Sequence, residues 1–350
     1  MGVELCEHKA QATRICWVDT FKFLAMIYIY VGHLGTGSGR MYAYVWTFHM
    51  AMFFFAAGIF ANKSKQVTTK EFVKKQFCRL LIPYYFFSAM SIVLGLLEEE
   101  IMPGELPQNI LRCLLGVKEL YNASLWFLPS LFMVTLFHYF AKKIMHKDVF
   151  VFLFSIALYM VSLRYFSAYE NIPMCANFST TYMVYYSSGA MLGRLVIRAK
   201  RDHPQRLISK VTIAGASIAA LVYLVCFYLG KDLMSFIQFP TFGLLGLLKC
   251  LILIGGNIII AMLLSPVASF AGHGQNTLYM CGNELFIKKS AALLLSTLGL
   301  SVQPAGALGC ILYCVLLLVL VEKILMPIEK PMIDAMTNLF HKAFKKKQAS

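Results

Sequence analysis

Three ionisable side chains, Asp19, Lys22 and His33, stand in an otherwise apolar and aromatic stretch from Cys16 to Leu34, CWVDTFKFLAMIYIYVGHL. Ionisable groups at membrane depth are costly, so they usually face a bundle interior or a water-filled cavity and mark function. Lys22 and His33 are eleven residues apart. On a helix that is three turns plus about 20°, which puts both on one face about 16 Å apart. Asp19 lies one turn before Lys22, a spacing at which an acid and a base pair. The face therefore runs from a charged pair to an imidazole, a group that titrates near neutrality and serves as a general base or as a transiently acylated nucleophile. The alternative is interfacial, with Asp19 and Lys22 snorkelling to one membrane surface and His33 belonging to the other.

Other residues extend this chemistry. The turn Gly35-Thr-Gly-Ser-Gly39 is followed by VWTFHMAMFFFAAGIFAN, which brings His49 towards His33. Two imidazoles facing one cavity can divide proton abstraction from charge stabilisation; the alternative is two interfacial histidines that never meet. Lys74, Lys75 and Arg79 cluster before an apolar run, where Arg79 offers a planar donor fork for phosphate. The two lysines also fit a charge cluster that only sets orientation. Glu284 is a late intramembrane carboxylate, with an interfacial pair to Lys288 one turn later as its alternative. Trp126 and the tyrosines Tyr84, Tyr85, Tyr182, Tyr185 and Tyr186 can stack on sugar or adenine, or simply pack.

The elements that must position these residues are membrane helices. A chain of 350 residues that is 59% hydrophobic and only 14% charged is too apolar for a soluble domain. The composition predicts an all-α polytopic fold of about ten spans. After the first they fall near 43–61, 77–97, 124–141, 148–165, 178–197, 209–229, 243–264, 274–297 and 306–326. One membrane domain is expected, with a polar segment over 1–15, the bundle over 16–328 and a basic tail over 329–350. Lys and Arg concentrate in alternate loops and in the tail, which predicts that both termini are cytoplasmic. That bias also accounts for the net charge of +15, and no motif has nucleic-acid geometry, so membrane lipid rather than nucleic acid is the expected partner of the tail. The ten cysteines are scattered without CxxC pairs, which argues against a metal site. Cys113 and Cys175, in the larger external loops, are either a disulfide or free thiols.

Five pieces, in order from about residue 14 to 285, resemble the acyltransferase 3 family of integral membrane acyltransferases, most nearly its sugar O-acetylase branch, the fucose 4-O-acetylase-like proteins. Lys22 with ten residues before His33 resembles the family's basic-x10-His signature, and WTFHMAMFFFAAGIF its second span, with His49, Phe53, Phe54, Phe55 and Gly58 in register. FCRLLIPYYFF resembles its Arg-x3-Pro-Tyr segment through Arg79, Pro83 and Tyr84. SLWFLPSLFMV resembles its Trp-Phe-Leu segment through Trp126, and GQNTLYM its late helix start through Gly274, Asn276 and Thr277. Three positions depart. Gln76 stands where a second Arg is common, Ala51 replaces a Pro, and CGNE puts Asn283 or Glu284 where many members carry a His.

The resemblance implies transfer of an acyl group, most often acetyl from cytoplasmic acetyl-CoA, onto a hydroxyl of a cell-envelope or exported glycan or a lipid-linked sugar, in a bacterial plasma (inner) membrane. It implies His33, His49, Lys22 and Asp19 as catalytic residues, Arg79, Lys75 and Lys74 as the acyl-CoA site, and Trp126, Glu284 and Asn276 at the acceptor, with no metal. Two other classes fit an intramembrane Asp, Lys, two His and a Glu: a transporter or flippase for a glycan precursor, and a non-catalytic membrane sensor on the same scaffold. No inverted repeat supports the carrier.

Overall fold

The computed structural model describes residues 15–61, 68–118, 120–166, 171–202, 243–299, 304 and 306–349. The predicted span 209–229 and the polar segment before residue 15 lie outside them. All regular structure among the described residues is helical. In chain order it comprises α1 (Cys16–Gly32), α2 (Arg40–Trp46), α3 (His49–Ile59), α4 (Thr69–Gln76), α5 (Ile82–Leu97), α6 (Leu106–Leu115), α7 (Phe127–Met145), α8 (Asp148–Val161) and α9 (Ala176–Asp202). The later helices are α10 (Gly243–Leu264), α11 (Ala268–His273), α12 (Thr277–Gly282), α13 (Glu284–Thr297), α14 (Gly306–Leu320) and α15 (Met326–Ala349). Among the described residues, six helical segments are long and apolar enough to cross a membrane: Met41–Ile59, Thr69–Leu97, Ala123–Met145, Asp148–Phe166, Gly243–Leu264 and Gly306–Phe344. The chain is thus a multi-pass, all-α integral membrane protein.

Helix α1 is the axis of the bundle. From Val18 to Gly32 every residue except Lys22 is buried, as expected of a helix apolar on all sides. It packs against α2, α3, α10, α11, α12 and α14. Two buried hydroxyls pin it in place. Tyr28 donates to Asn257 Oδ1 of α10 at 2.9 Å, and Tyr30 to the Met280 carbonyl of α12 at 2.7 Å.

Backbone breaks are where the architecture departs from ten uninterrupted spans. The second is interrupted at Thr47 and Phe48, so that His49 opens α3. The late span 274–297 is divided at Asn283 into α12 and α13, so that Glu284 opens α13. The third starts earlier than expected, at Thr69, where Thr68 and Glu71 form a reciprocal capping box. It then runs through a π-helical turn, Phe77–Leu81, into α5. Another π turn, Ser162–Phe166, ends α8, and a third, Val321–Leu325, joins α14 to α15. The first and third each precede an Xaa-Pro pair, Ile82-Pro83 and Met326-Pro327. A proline in a helix cannot donate and crowds the carbonyl four residues back. A wider turn at that point relieves the crowding and keeps the chain helical.

Small residues set the approach of α3 and α9. A Cβ on Gly58 would stand 2.0 Å from the Tyr186 carbonyl oxygen, and one on Gly189 2.0 Å from that of Phe55. Gly193 meets the Ile59 carbonyl in the same way, at 2.2 Å. Gly189 and Gly193 form a small-xxx-small face, which lets membrane helices come into backbone contact.

Candidate active site

One half of the site begins with His33, which terminates α1. Its backbone N–H still bonds the Ile29 carbonyl at 3.0 Å, so the ring is carried on the last turn of a rigid helix. The break at Asn283 swings Glu284 to face it, and His33 Nδ1 lies 2.6 Å from Glu284 Oε1. Glu284 is 2% exposed, so the carboxylate is enclosed by the bundle. Burying a carboxylate is tolerated only when its charge and lone pairs are answered. Lys288 Nζ binds the same oxygen at 2.6 Å, and the Ser124 hydroxyl donates to Oε2 at 2.5 Å. The pairing with Lys288 expected as an alternative is therefore present together with the His33 contact. Lys288 also reaches the Tyr30 carbonyl at 3.4 Å, tying the cluster back to α1. Asn283 faces elsewhere and donates to Glu329 of α15 at 2.6 Å. Of the two residues that stand where the family places a His, Glu284 is the one at the imidazole.

With Nδ1 committed to a carboxylate, the imidazole holds its proton there and turns Nε2 outward as the basic nitrogen. His33 remains accessible, with 31% of its side chain exposed. His49 is close but differently held. It is 2% exposed, and its Nδ1 donates to the Val45 carbonyl at 2.8 Å across the break between α2 and α3. The two imidazole centroids are 6.4 Å apart, with Trp46 5.2 Å from His49 and 6.2 Å from His33. The expected meeting of the histidines therefore occurs as an edge-to-face cluster shared with Trp46.

The other half of the site is a cavity of about 240 Å³. Lys22 and Arg79 line it together with Met26, Ile29, Phe60 and Leu131 among its apolar walls. Lys22 pairs with Asp19 at 2.7 Å and still faces the cavity, so pairing and lining coexist. Arg79 lies on the π turn, four residues before Pro83, and its side chain is exposed into this space. The cavity extends along α1 to Ile29, one turn short of His33, and along α12 to Cys281, one turn short of Glu284. Two cations at one end of an apolar slot suit an anion with a long, weakly polar arm.

The other expected residues sort as follows. Lys75 is exposed and does not line the slot, and neither does Lys74, which sits over the Phe344 ring of α15, 4.6 Å from its centroid. Trp126 packs on Phe178 at 4.7 Å and Tyr182 at 5.8 Å, so its ring is held by protein aromatics while Ser124, two residues earlier, serves Glu284. Asn276 occupies the N-cap position of α12 without a side-chain capping bond, directly before Thr277, which lines the cavity. Gly274 of that motif packs on α1 so closely that a Cβ would stand 1.8 Å from the Asp19 carbonyl oxygen. Cys113 and Cys175 are buried free thiols. Ser124 was not legible as a site residue in the sequence, because its role depends on the long-range approach of residue 284.

A family model described as an acyltransferase domain matches residues 15–321. No curated protein and no solved structure matches the chain.

Proposed function

The chain belongs to the acyltransferase 3 family of membrane acyltransferases, and we propose that it transfers an acyl group, most often acetyl from acetyl-CoA, onto a hydroxyl of a cell-envelope or exported glycan or a lipid-linked sugar. The observation that carries this reading is the contact of His33 Nδ1 with the buried Glu284, at the end of a helix whose other end lines a cationic slot. In it, Arg79 and Lys22 hold the phosphates of the acyl-CoA from the cytoplasmic side, and the apolar walls take its arm. His33 Nε2 removes the proton of the acceptor hydroxyl. The hydroxyl oxygen bonds to the acyl carbon, the carbon–sulfur bond breaks, and the proton passes from His33 to the departing thiolate. Glu284 keeps the tautomer and stabilises the imidazolium formed midway, as carboxylates do beside catalytic histidines. A general base of this kind is worth about 10²- to 10⁴-fold in rate. His49, with Nδ1 fixed on Val45, orients the acceptor or stabilises charge; Asp19 holds Lys22.

The test is release of free CoA thiol from acetyl-CoA by the purified protein with a pooled envelope-glycan extract. The parent is compared with His33→Ala at matched folding. Acceptor-dependent release that His33→Ala reduces by at least a hundredfold supports the reading. Undiminished release without His33 removes that residue from the chemistry. Failure of the parent to bind acetyl-CoA at all removes the acyltransferase.

A further inference from the structure

A second cavity, of about 400 Å³, is lined by Trp46, Thr47, Tyr159, Thr181, Tyr185 and Lys249 among others. Trp46 is also the ring that touches both imidazoles, so this cavity and the His33 cluster share a wall. Lys249 stands on α10, six residues after Gly243, about 9 Å along the helix from its start. It is half-buried, and no ion pair or hydrogen bond engages it among the described residues. The other described lysines within predicted spans have carboxylate partners: Lys22 has Asp19, Lys288 has Glu284 and Lys289 has Glu98, and the largely exposed Lys323 lies 3.9 Å from Glu322.

A cation at membrane depth with no counter-charge among the described residues marks a pathway or a ligand site, because its desolvation has to be answered by water or by an incoming anion. The rest of the lining has a matching character. Tyr159 and Tyr185 are nearly fully buried and line the cavity, and Thr47 and Thr181, whose hydroxyls donate to the Ala43 and Asn177 carbonyls, add oxygen acceptors. Ring faces accept the carbon-bound hydrogens of a sugar, hydroxyls accept its edge, and a lone ammonium accepts an oxyanion as a point charge.

We propose that this cavity holds the acceptor and that Lys249 selects a sugar bearing an oxyanion, either a phosphate ester or a carboxylate, over a neutral sugar. Calling the ligand an acceptor rests on the acyltransferase reading; the binding itself does not. The competing occupant of Lys249 is the phosphate of a lipid headgroup, reached by snorkelling.

The full chain in phosphatidylcholine nanodiscs is titrated with glucose 1-phosphate, glucuronate and methyl glucoside, following binding by calorimetry. The parent binds at least one of the two anionic sugars at least tenfold more tightly than methyl glucoside. Lys249→Gln abolishes that preference, and Lys249→Arg retains most of it, with thermal melts confirming that both variants fold. An unchanged preference in Lys249→Gln, or no tighter binding of either anionic sugar by the parent, overturns the proposal. So does loss of sugar binding when phosphatidylglycerol replaces a third of the lipid, which would give Lys249 to a headgroup. Thiol release and acetyl-CoA binding, assayed on the same preparations, separate the two readings. Lys249-dependent sugar binding by a protein that does not bind acetyl-CoA sinks the acyltransferase and leaves the site; turnover with no Lys249-dependent preference does the reverse.

Discussion

At the scale of residues, Glu284 has two jobs that can be separated. It orients His33, and it neutralises Lys288 in a buried setting. Removing one partner of a buried pair leaves an uncompensated charge and costs about 3–5 kcal/mol, whereas replacing both by apolar residues is often near neutral. Lys288→Met alone is therefore expected to lower thermal stability in detergent. The double variant Glu284→Leu/Lys288→Met recovers most of it yet stays inactive, because His33 has lost its carboxylate. Glu284→Gln, which keeps the shape, lowers kcat with little change in KM for acetyl-CoA. Activity in the double variant at the parent level would show that Glu284 is structural only. The sequence announced this residue through its type and its place in the late motif. It did not decide between Asn283 and Glu284, because that choice depends on the break between α12 and α13, which no local propensity in CGNE encodes. Asp19, Lys22 and His33 were legible for the opposite reason: all three lie on one helix, where spacing alone fixes their relation.

At the scale of elements, close backbone approach is the constraint that matters between α3 and α9. A methyl added at Gly58 or Gly189 meets a carbonyl at 2.0 Å, and both sides of that contact are helix backbone that cannot rotate away. Overpacking of this kind costs about 1–3 kcal/mol or more. Gly58→Ala and Gly189→Ala should each lower the melting temperature in detergent, whereas Gly255→Ala on α10, whose Cβ would meet nothing within 4 Å, should leave it unchanged or raise it slightly. Equal behaviour of the three variants would refute the glycine seam. The signal was in the sequence as Gly189-x3-Gly193, but the partner helix was not. The π turns were likewise half visible: Pro83 and Pro327 announce a perturbation, yet only the fold shows that the wide turn at residue 79 puts the guanidinium in the slot.

A second element-scale contact lies at the membrane edge. The Glu98 carboxylate, just past α5, binds Lys289 of α13 and Tyr121 of the following loop. Lys289, and then Tyr121, hold the Glu98 carboxyl below its ordinary range. A depressed folded-state value means the latch contributes above the unfolded carboxyl's range and is lost as pH falls through the folded one. Acidification below about pH 4, the ordinary carboxylate range, should open it. Hydrogen exchange in the 98–123 loop should then rise in the parent and be already raised, without a further acid step, in Glu98→Gln. Since the pair is exposed, global stability should move little.

At the scale of the whole molecule, α1 links two compartments. Its charged end lines the slot and its imidazole end faces Trp46 and the second cavity, about 16 Å apart along a bilayer core of about 30 Å. The C-terminal helix belongs to the first compartment. Phe340 stacks on Phe77 at 4.9 Å, beside the π turn that carries Arg79, and Glu329 is buried against Asn283. The residues read from the sequence as a basic tail are in part a packed helix, because its apolar positions find α5 and the π turn rather than water. If donor and acceptor enter from opposite sides, the loop-charge orientation must hold, with Cys16 inside and the acidic 98–123 loop outside. In intact cells a membrane-impermeant maleimide should label Glu100→Cys, an exposed loop position. Cys16, exposed at the start of α1, should react only after permeabilisation, with the labelled residues mapped by mass spectrometry. The reverse pattern would invert the protein in the membrane. It would put the Arg79 and Lys22 slot on the side without acyl-CoA, and with that the donor would have to reach His33 directly from the opposite face.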